Sequence, residues 1–364
     1  MSRLSNGSMR SKRRCSLSAN ATTAHTTRGR RPATGRLPDS ILLPIGVCVV
    51  AVLATLSLMF GSHLIAPDAL VSAVFSPTGS ENDLIVTGVR IPRTLLGIAV
   101  GAALAVAGVI MQALTRNPLA EPGILGVNAG ASFAVALGLT VLGFTQFSST
   151  LWLAFVGAAV ASLAVTALAA AASGPQSVAR LVLGGVAIGA VLAGATAAIS
   201  MMNPRAYAAM RLWEAGSLAG RDLPIALATL IIVGVGLALA LGLGPSLNVL
   251  LLGEDAASAL GARVGIVRGL GLLAIIVLCG AATAAAGPIV FVGLMVPHAV
   301  RALVGTNQVR VLLYSLLAGP ILLLAADLIA RTIIRPQELP VGVVTAFLGA
   351  PLLIALVLST RRMS

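Results

Sequence analysis

The sequence is 364 residues long, 58% hydrophobic and only 10% charged, with 24 Lys and Arg against 11 Asp and Glu. Soluble domains carry about 25% charged residues, so this chain lacks the charge to cover a water-facing surface, and a soluble enzyme or binding module is excluded. Three Cys (Cys15, Cys48, Cys279) and three His (His25, His63, His298) are scattered without CxxC or HExxH spacing, so no zinc or iron site is expected.

Residues 1–40 hold nine of the Arg and Lys and one acid, Asp39. A nucleic-acid arm, a targeting presequence and a disordered cytoplasmic extension are the three readings of such a tail. It has no apolar stretch and no clear cleavage site, and too few apolar residues to fold. It is read as a disordered cytoplasmic extension, with no nucleic-acid partner. Residues 41–360 form the membrane domain.

A spanning helix needs ~20 apolar residues, since each adds 1.5 Å across a hydrocarbon core of ~30 Å. Span 1 is Ile41–Gly61. Arg90 and Arg93, in VRIPR, precede span 2, Thr94–Leu114. Spans 3 to 6 are Ile124–Phe144, Leu151–Ala172, Leu181–Met202 and Leu223–Leu243. The loop after span 6 reads SLNVLLLGEDAASALGARVG, in which Asp255 to Gly261 signals a short helix. Acids suit its start and Gly261 its end. Leu251, Leu252, Ala256, Ala259 and Leu260 are expected to form an apolar face that a partner subunit could grip or that could lie at the membrane surface. Gly287–Pro288 then divides a long uncharged stretch into span 7, about Leu270–Ala286, and span 8, about Ile289–Val304. Span 9 is Val311–Ile329 and span 10 Leu339–Leu358.

Both termini are expected in the cytoplasm by the positive-inside rule, an assignment carried by the tail and by Arg361–Arg362. AALAVAG followed by NPLAEPGILGV returns, five spans later, as AATAAAG followed by PIVFVGLMVP. An odd offset inverts the second copy, and inverted repeats are typical of transporters, although Ala/Gly composition alone could produce the match. Asp327 in span 9 is the one candidate ionisable group at depth, and Arg331 at i+4 is its expected ion-pair partner. His298 is read as a helix-end residue. Lys12 is the single Lys and no GxxxxGK[ST] exists, so ATP, if it drives this protein, is bound by another subunit. An ion-coupled secondary carrier would want more buried acids. An intramembrane enzyme would want a His–acid or nucleophile constellation, and none is apparent.

RIPRTLLGIAVGAALAVAGVIMQALTRNPLAEPGILGVNAGA (Arg90–Ala131), GPIVFVGLMVPHAVR (Gly287–Arg301) and ADLIARTIIRPQELPVGVVTAFLGAPLLIALV (Ala326–Val357) occur in that order. In these stretches the sequence resembles the type II ABC importer permeases, which take up iron-siderophores, haem and vitamin B12. The resemblance implies an all-α polytopic membrane protein of about ten helices with inverted-repeat character, and no catalysis by this chain. It implies a second permease subunit, identical or homologous, two cytoplasmic ATPases that carry the ATP, and an extracytoplasmic substrate-binding protein. The cytoplasmic membrane is the expected location. The segment of Glu254, Asp255, Ala256, Ala257, Leu260 and Gly261 resembles the coupling helix that seats in the ATPase. Arg90, Arg93 and Arg331 occupy positions that bind glutamates of the binding protein. Ser177, Val178 and Ala179 match the inner gate region, where the vitamin B12 branch carries hydroxyl residues and this chain has Val178 and Ala179. LWEAGSLAGRD (Leu212–Asp222) looks more like the siderophore branch. A ferric siderophore is therefore the expected cargo, with vitamin B12 or haem as alternatives.

Overall fold

A computed structural model describes residues 39–61, 64–144, 147–171, 177–334 and 337–361; Cys15, His25, His63 and the tail before Asp39 lie outside them. Every regular element among the described residues is a helix. Helix α1 is Asp39–Met59, α2 is Pro67–Phe75 and α3 is Glu81–Ile85. A π-helical turn, Val86–Arg90, runs straight into α4, Ile91–Thr115. A 3₁₀ turn at Pro122–Leu125 leads into α5, Val127–Thr140. Then come α6, Phe147–Ala171, α7, Ser177–Met201, and α8, Pro204–Glu214. Helix α9 is Leu223–Gly242, α10 is Gly244–Leu250 and α11 is Glu254–Ala259. The chain closes with α12, Val264–Ala286, α13, Val292–Val304, α14, Gln308–Thr332, and α15, Val341–Arg361.

Each of the ten expected spans coincides with a helix. Among the described residues seven helices are long and apolar enough to cross a membrane, and three shorter apolar ones fall in α5, α13 and α15. The boundaries differ where charge was taken as a stop. Helix α12 starts at Val264 rather than Leu270 because Arg268 lies inside it, held by Glu254 at 2.6 Å. Helix α4 likewise takes in Arg93, which is paired. An ion with a partner need not end a helix. The short helices α2, α3, α8 and α10 were not expected; they lack the length that marks a span.

Helix α4 is the axis, buried along most of its length and packed by α14, α12, α9 and α13. Small residues make this possible. A Cβ on Gly108 would run into the backbone of Gly293 on α13, one on Gly101 into Gly319 on α14, and on the next pair one on Gly130 of α5 into Gly157 of α6. Lipid supplies no hydrophobic drive between helices, so close backbone packing carries the association.

Helix α5 has 14 residues and α13 has 13. At 1.5 Å each they reach about 20 Å, short of a ~30 Å core, so neither helix crosses it alone. Their starts lie together. The Glu121 carboxylate accepts from the Phe291 N–H at 2.7 Å, Gln112 Nε2 donates to Gly293 O at 3.1 Å, and Thr283 donates to Asn128 at 3.0 Å. Each is preceded by a residue in the left-handed region, Gly126 at φ 74° and Phe291 at φ 69°. The two copies of the sequence repeat thus share the same kink before the same helix.

Replacing Gly108 by Ala is expected to lower the thermal midpoint in detergent, since overpacking a tight core costs about 1–3 kcal/mol. Gly189→Ala, into open space on α7, should leave it unchanged or raise it. Equal effects at the two sites would remove the backbone-contact account.

Candidate functional site

At one end of α4 the polar groups converge. Arg90 closes the π turn, and its Nη1 donates to the carbonyls of Leu58 at 2.6 Å and Met59 at 2.7 Å. These belong to the last turn of α1, whose carbonyls have no partner within the helix. Arg93, in the first turn of α4, forks onto Asp327 through Nε at 3.1 Å and Nη2 at 2.9 Å, and its Nη1 meets Glu338 at 2.6 Å. Arg331, one turn after Asp327 on α14, binds that carboxylate at 2.7 Å and Ser57 Oγ at 2.7 Å. It also donates to the carbonyls of Ser57 and Phe60. Ser57 and Thr94 share a hydrogen bond of 2.8 Å. One cluster thus ties together the ends of α1 and α14, the start of α4, and the segment that leads into α15.

The cluster is dry. Arg90, Arg93 and Arg331 are 4%, 5% and 3% exposed, and Asp327 is 1% exposed. Three guanidinium groups face two carboxylates, Asp327 and Glu338, so it carries 3 − 2 = +1. Burying ions is costly unless they are paired and hydrogen-bonded, and here the forked geometry supplies both. The expected Asp327–Arg331 pair is present. The sequence reading took Arg90, Arg93 and Arg331 as cations available to an external partner; the structure instead turns all three inward. Only Glu338, with a side chain 31% exposed, reaches the surface. It lines a cavity of about 440 Å³ with Trp213, Ser217 and Arg221. Glu338 and Ser57 were missed, because their roles rest on contacts hundreds of residues apart that no local spacing announces.

At the opposite end of α4 stands α11. Gly253 at φ 106° and Gly261 at φ 80° bracket it. Leu252 and Leu260 are each 66% exposed, and Asp255, Ala256, Ser258 and Ala259 are exposed beside them. The expected apolar face is therefore on the surface. Two members of the expected contact set behave differently. Ala257 is buried beneath the helix, and Glu254 turns back to Arg268 at 2.6 Å and Arg116 at 3.5 Å. Ser177, Val178 and Ala179 form the first turn of α7; Ala179 is exposed, and the side chains of Ser177 and Val178 lie outside the described residues. Among the described residues no group of His, Cys, Asp and Glu is placed to hold a metal ion.

The sequence matches the FecCD transport family over residues 49–359. It is 50% identical over 314 residues to the ferric enterobactin transport system permease protein FepD of Escherichia coli (strain K12), spanning 86% of this chain and 93% of that protein. It is 37% identical over 315 residues to the vitamin B12 import system permease protein BtuC of Vibrio vulnificus (strain CMCP6), spanning 86% and 92%. The fold is similar, with a TM-score of 0.76 and 29% identity, to a metal-chelate type ABC transporter solved in an inward-facing conformation, covering 87% of this chain and 98% of that one.

Asp327→Asn is expected to leave two buried guanidinium groups short of charge and to cost about 3–5 kcal/mol, read as a lowered thermal midpoint. Removing the more exposed Arg310 partner of Asp39 should lower it far less, since solvent screens that pair. A small, equal loss at both sites would show that the cluster does not hold the bundle.

Proposed function

This chain belongs to the FecCD transport family, and from that premise we propose that it is the membrane-spanning subunit of an ABC importer for ferric siderophores. The carrying observation is 50% identity, over 93% of its length, to a ferric enterobactin permease. Vitamin B12 is the second reading, favoured by the 37% identity to a B12 permease.

In this reading the protein sits in the cytoplasmic membrane with both termini inside. The α11 end faces the cytoplasm and the Arg93 cluster faces out. Separate ATPase subunits bind and hydrolyse ATP, and α11 transmits their movement. Its outward Leu252, Ala256, Ala259 and Leu260 offer an apolar knob, and Ala257 and Glu254 fasten it to the bundle. A second permease, identical or homologous, covers the outward apolar residues of α7, among them Leu183, Val186 and Val191. The first turn of α7, at Ser177, Val178 and Ala179, lies where the path would narrow on the inner side. The chelate arrives with its metal already coordinated, so the path needs no metal ligands of its own.

An external binding protein docks at the opposite end through acidic groups. Arg90, Arg93 and Arg331 attract them, and Glu338, the accessible member, is what an incoming carboxylate displaces from Arg93. Charge of this kind orients a partner more than it holds it.

The purified chain, reconstituted with its ATPase and binding protein, should accumulate labelled ferric siderophore only when ATP is supplied. Haem and cobalamin are the comparison cargoes. Uphill uptake by the chain alone, or uptake that follows a proton gradient without ATP, would falsify this reading. Within it, Leu260→Arg and Ala256→Arg should abolish co-purification of the ATPase, whereas Gly189→Ala should not. Glu338→Gln should tighten binding-protein docking by about two- to fivefold, the scale of an exposed ion pair. An unchanged dissociation constant would count against displacement.

A further inference from the structure

Glu121 is a carboxylate that the reading above leaves without a task. It follows the α4 end, where Arg116 adopts φ 49° and Asn117 accepts from the Leu119 N–H at 2.9 Å. Pro122 succeeds it, and a residue before proline is held extended; Glu121 has φ −112° and ψ 140°. Its backbone is therefore set before its side chain is considered. The side chain crosses from the first copy of the repeat to the second and accepts the Phe291 N–H at 2.7 Å. Gly293 clears the approach, since a Cβ there would meet Pro122 at 2.9 Å.

Phe291 is the unusual end of this bond. It is the residue before α13, at φ 69°, and a bulky side chain in the left-handed region is an outlier. Its carbonyl opens α13 by accepting from Leu294 at 3.1 Å and Met295 at 2.8 Å. Its N–H points away from the helix and needs an acceptor. The equivalent residue of the first copy is Gly126, which adopts the same conformation without strain. The second copy has phenylalanine where the first has that glycine, and its N–H is held by a carboxylate reaching over from the first copy.

The surroundings give this kink reach. Ser217 donates to Ala286 O at 2.7 Å and Gly342 donates to Gly216 O at 3.0 Å. A Cβ on Gly349 of α15 would run into Phe291, and one on Gly287 into the Trp213 carbonyl. The break between α12 and α13 is thus the surface on which α15 and the segment after α8 rest.

We propose that Glu121 is a positioning residue: it holds Phe291 in the left-handed conformation and thereby fixes the α12–α13 break that seats α15. The acceptor oxygen is what matters, not the charge. Because the consequence for transport rests on the importer reading, the test has two readouts. The first is thermal unfolding in detergent of a double-mutant cycle. Glu121→Ala should lower the midpoint clearly in the native background. It should lower it less when Phe291 is Asn or Gly, residues that adopt the left-handed region readily, the remaining loss being that of the unpaired N–H. Glu121→Gln, which keeps an acceptor, should restore the midpoint. The second readout is ATP-driven chelate uptake in proteoliposomes. Glu121→Ala should reduce it about tenfold, the scale of leaving a buried donor without its acceptor, and Glu121→Gln should stay within about twofold. The same penalty for Glu121→Ala with and without Phe291 would overturn the proposal, as would Glu121→Gln falling as far as Glu121→Ala. If the wild type moves no cargo, the importer reading fails, while the unfolding cycle still decides the role of Glu121.

Discussion

Asp327 carries two guanidinium groups on one carboxylate, and most of one end of the bundle hangs from it. Arg93 brings the start of α4, and Arg331 brings the end of α14 together with the last turn of α1. Through Arg93 the carboxylate is linked to Glu338, three residues before α15 begins. In a low-dielectric interior an ion is tolerable only in such company, so the cluster specifies which helix ends may meet. Repeated Ala, Leu and Val offer apolar packing few distinctive surfaces at this end of the bundle; charge supplies one.

The rest of the interior obeys the complementary constraint that lipid cannot hydrogen-bond a stray backbone group. Where the helices break, a side chain supplies the partner at three places among the described residues. Arg90 serves the end of α1, Glu121 serves the start of α13, and Gln112 reaches the Gly293 carbonyl. The inverted repeat therefore brings a pair of interruptions whose open groups must be answered from across the bundle.

The spans were legible because twenty apolar residues in a row have few other uses, and the Asp327–Arg331 pair because i,i+4 spacing puts both on one face. The knob at α11 was legible for a similar reason, from acids before a short apolar run and a glycine after it. The contacts that bury the arginines were not. Arg93 and Asp327 are 234 positions apart, and VRIPR reads equally well as an exposed basic edge. Ala257 and Ala256 look alike in sequence; only the angle around α11 buries the one and exposes the other. The left-handed Phe291 left no trace because phenylalanine is ordinary in an apolar run, and only the alignment with Gly126 in the other copy marks it.

The glycine contacts divide the bundle mechanically. Where Gly101 meets Gly319 and Gly108 meets Gly293, backbones touch with no side chain between them, so α4, α13 and α14 have no compliant layer through which to slide. They turn as a single block or stay still. Gly189 and Gly194 on α7 face open space instead, and much of the rest of that helix is exposed or half-buried. Among the glycines of α7, close backbone packing returns only at Gly185, against the Ile124 carbonyl, so that helix is pinned at one point where the α4 block is pinned at several.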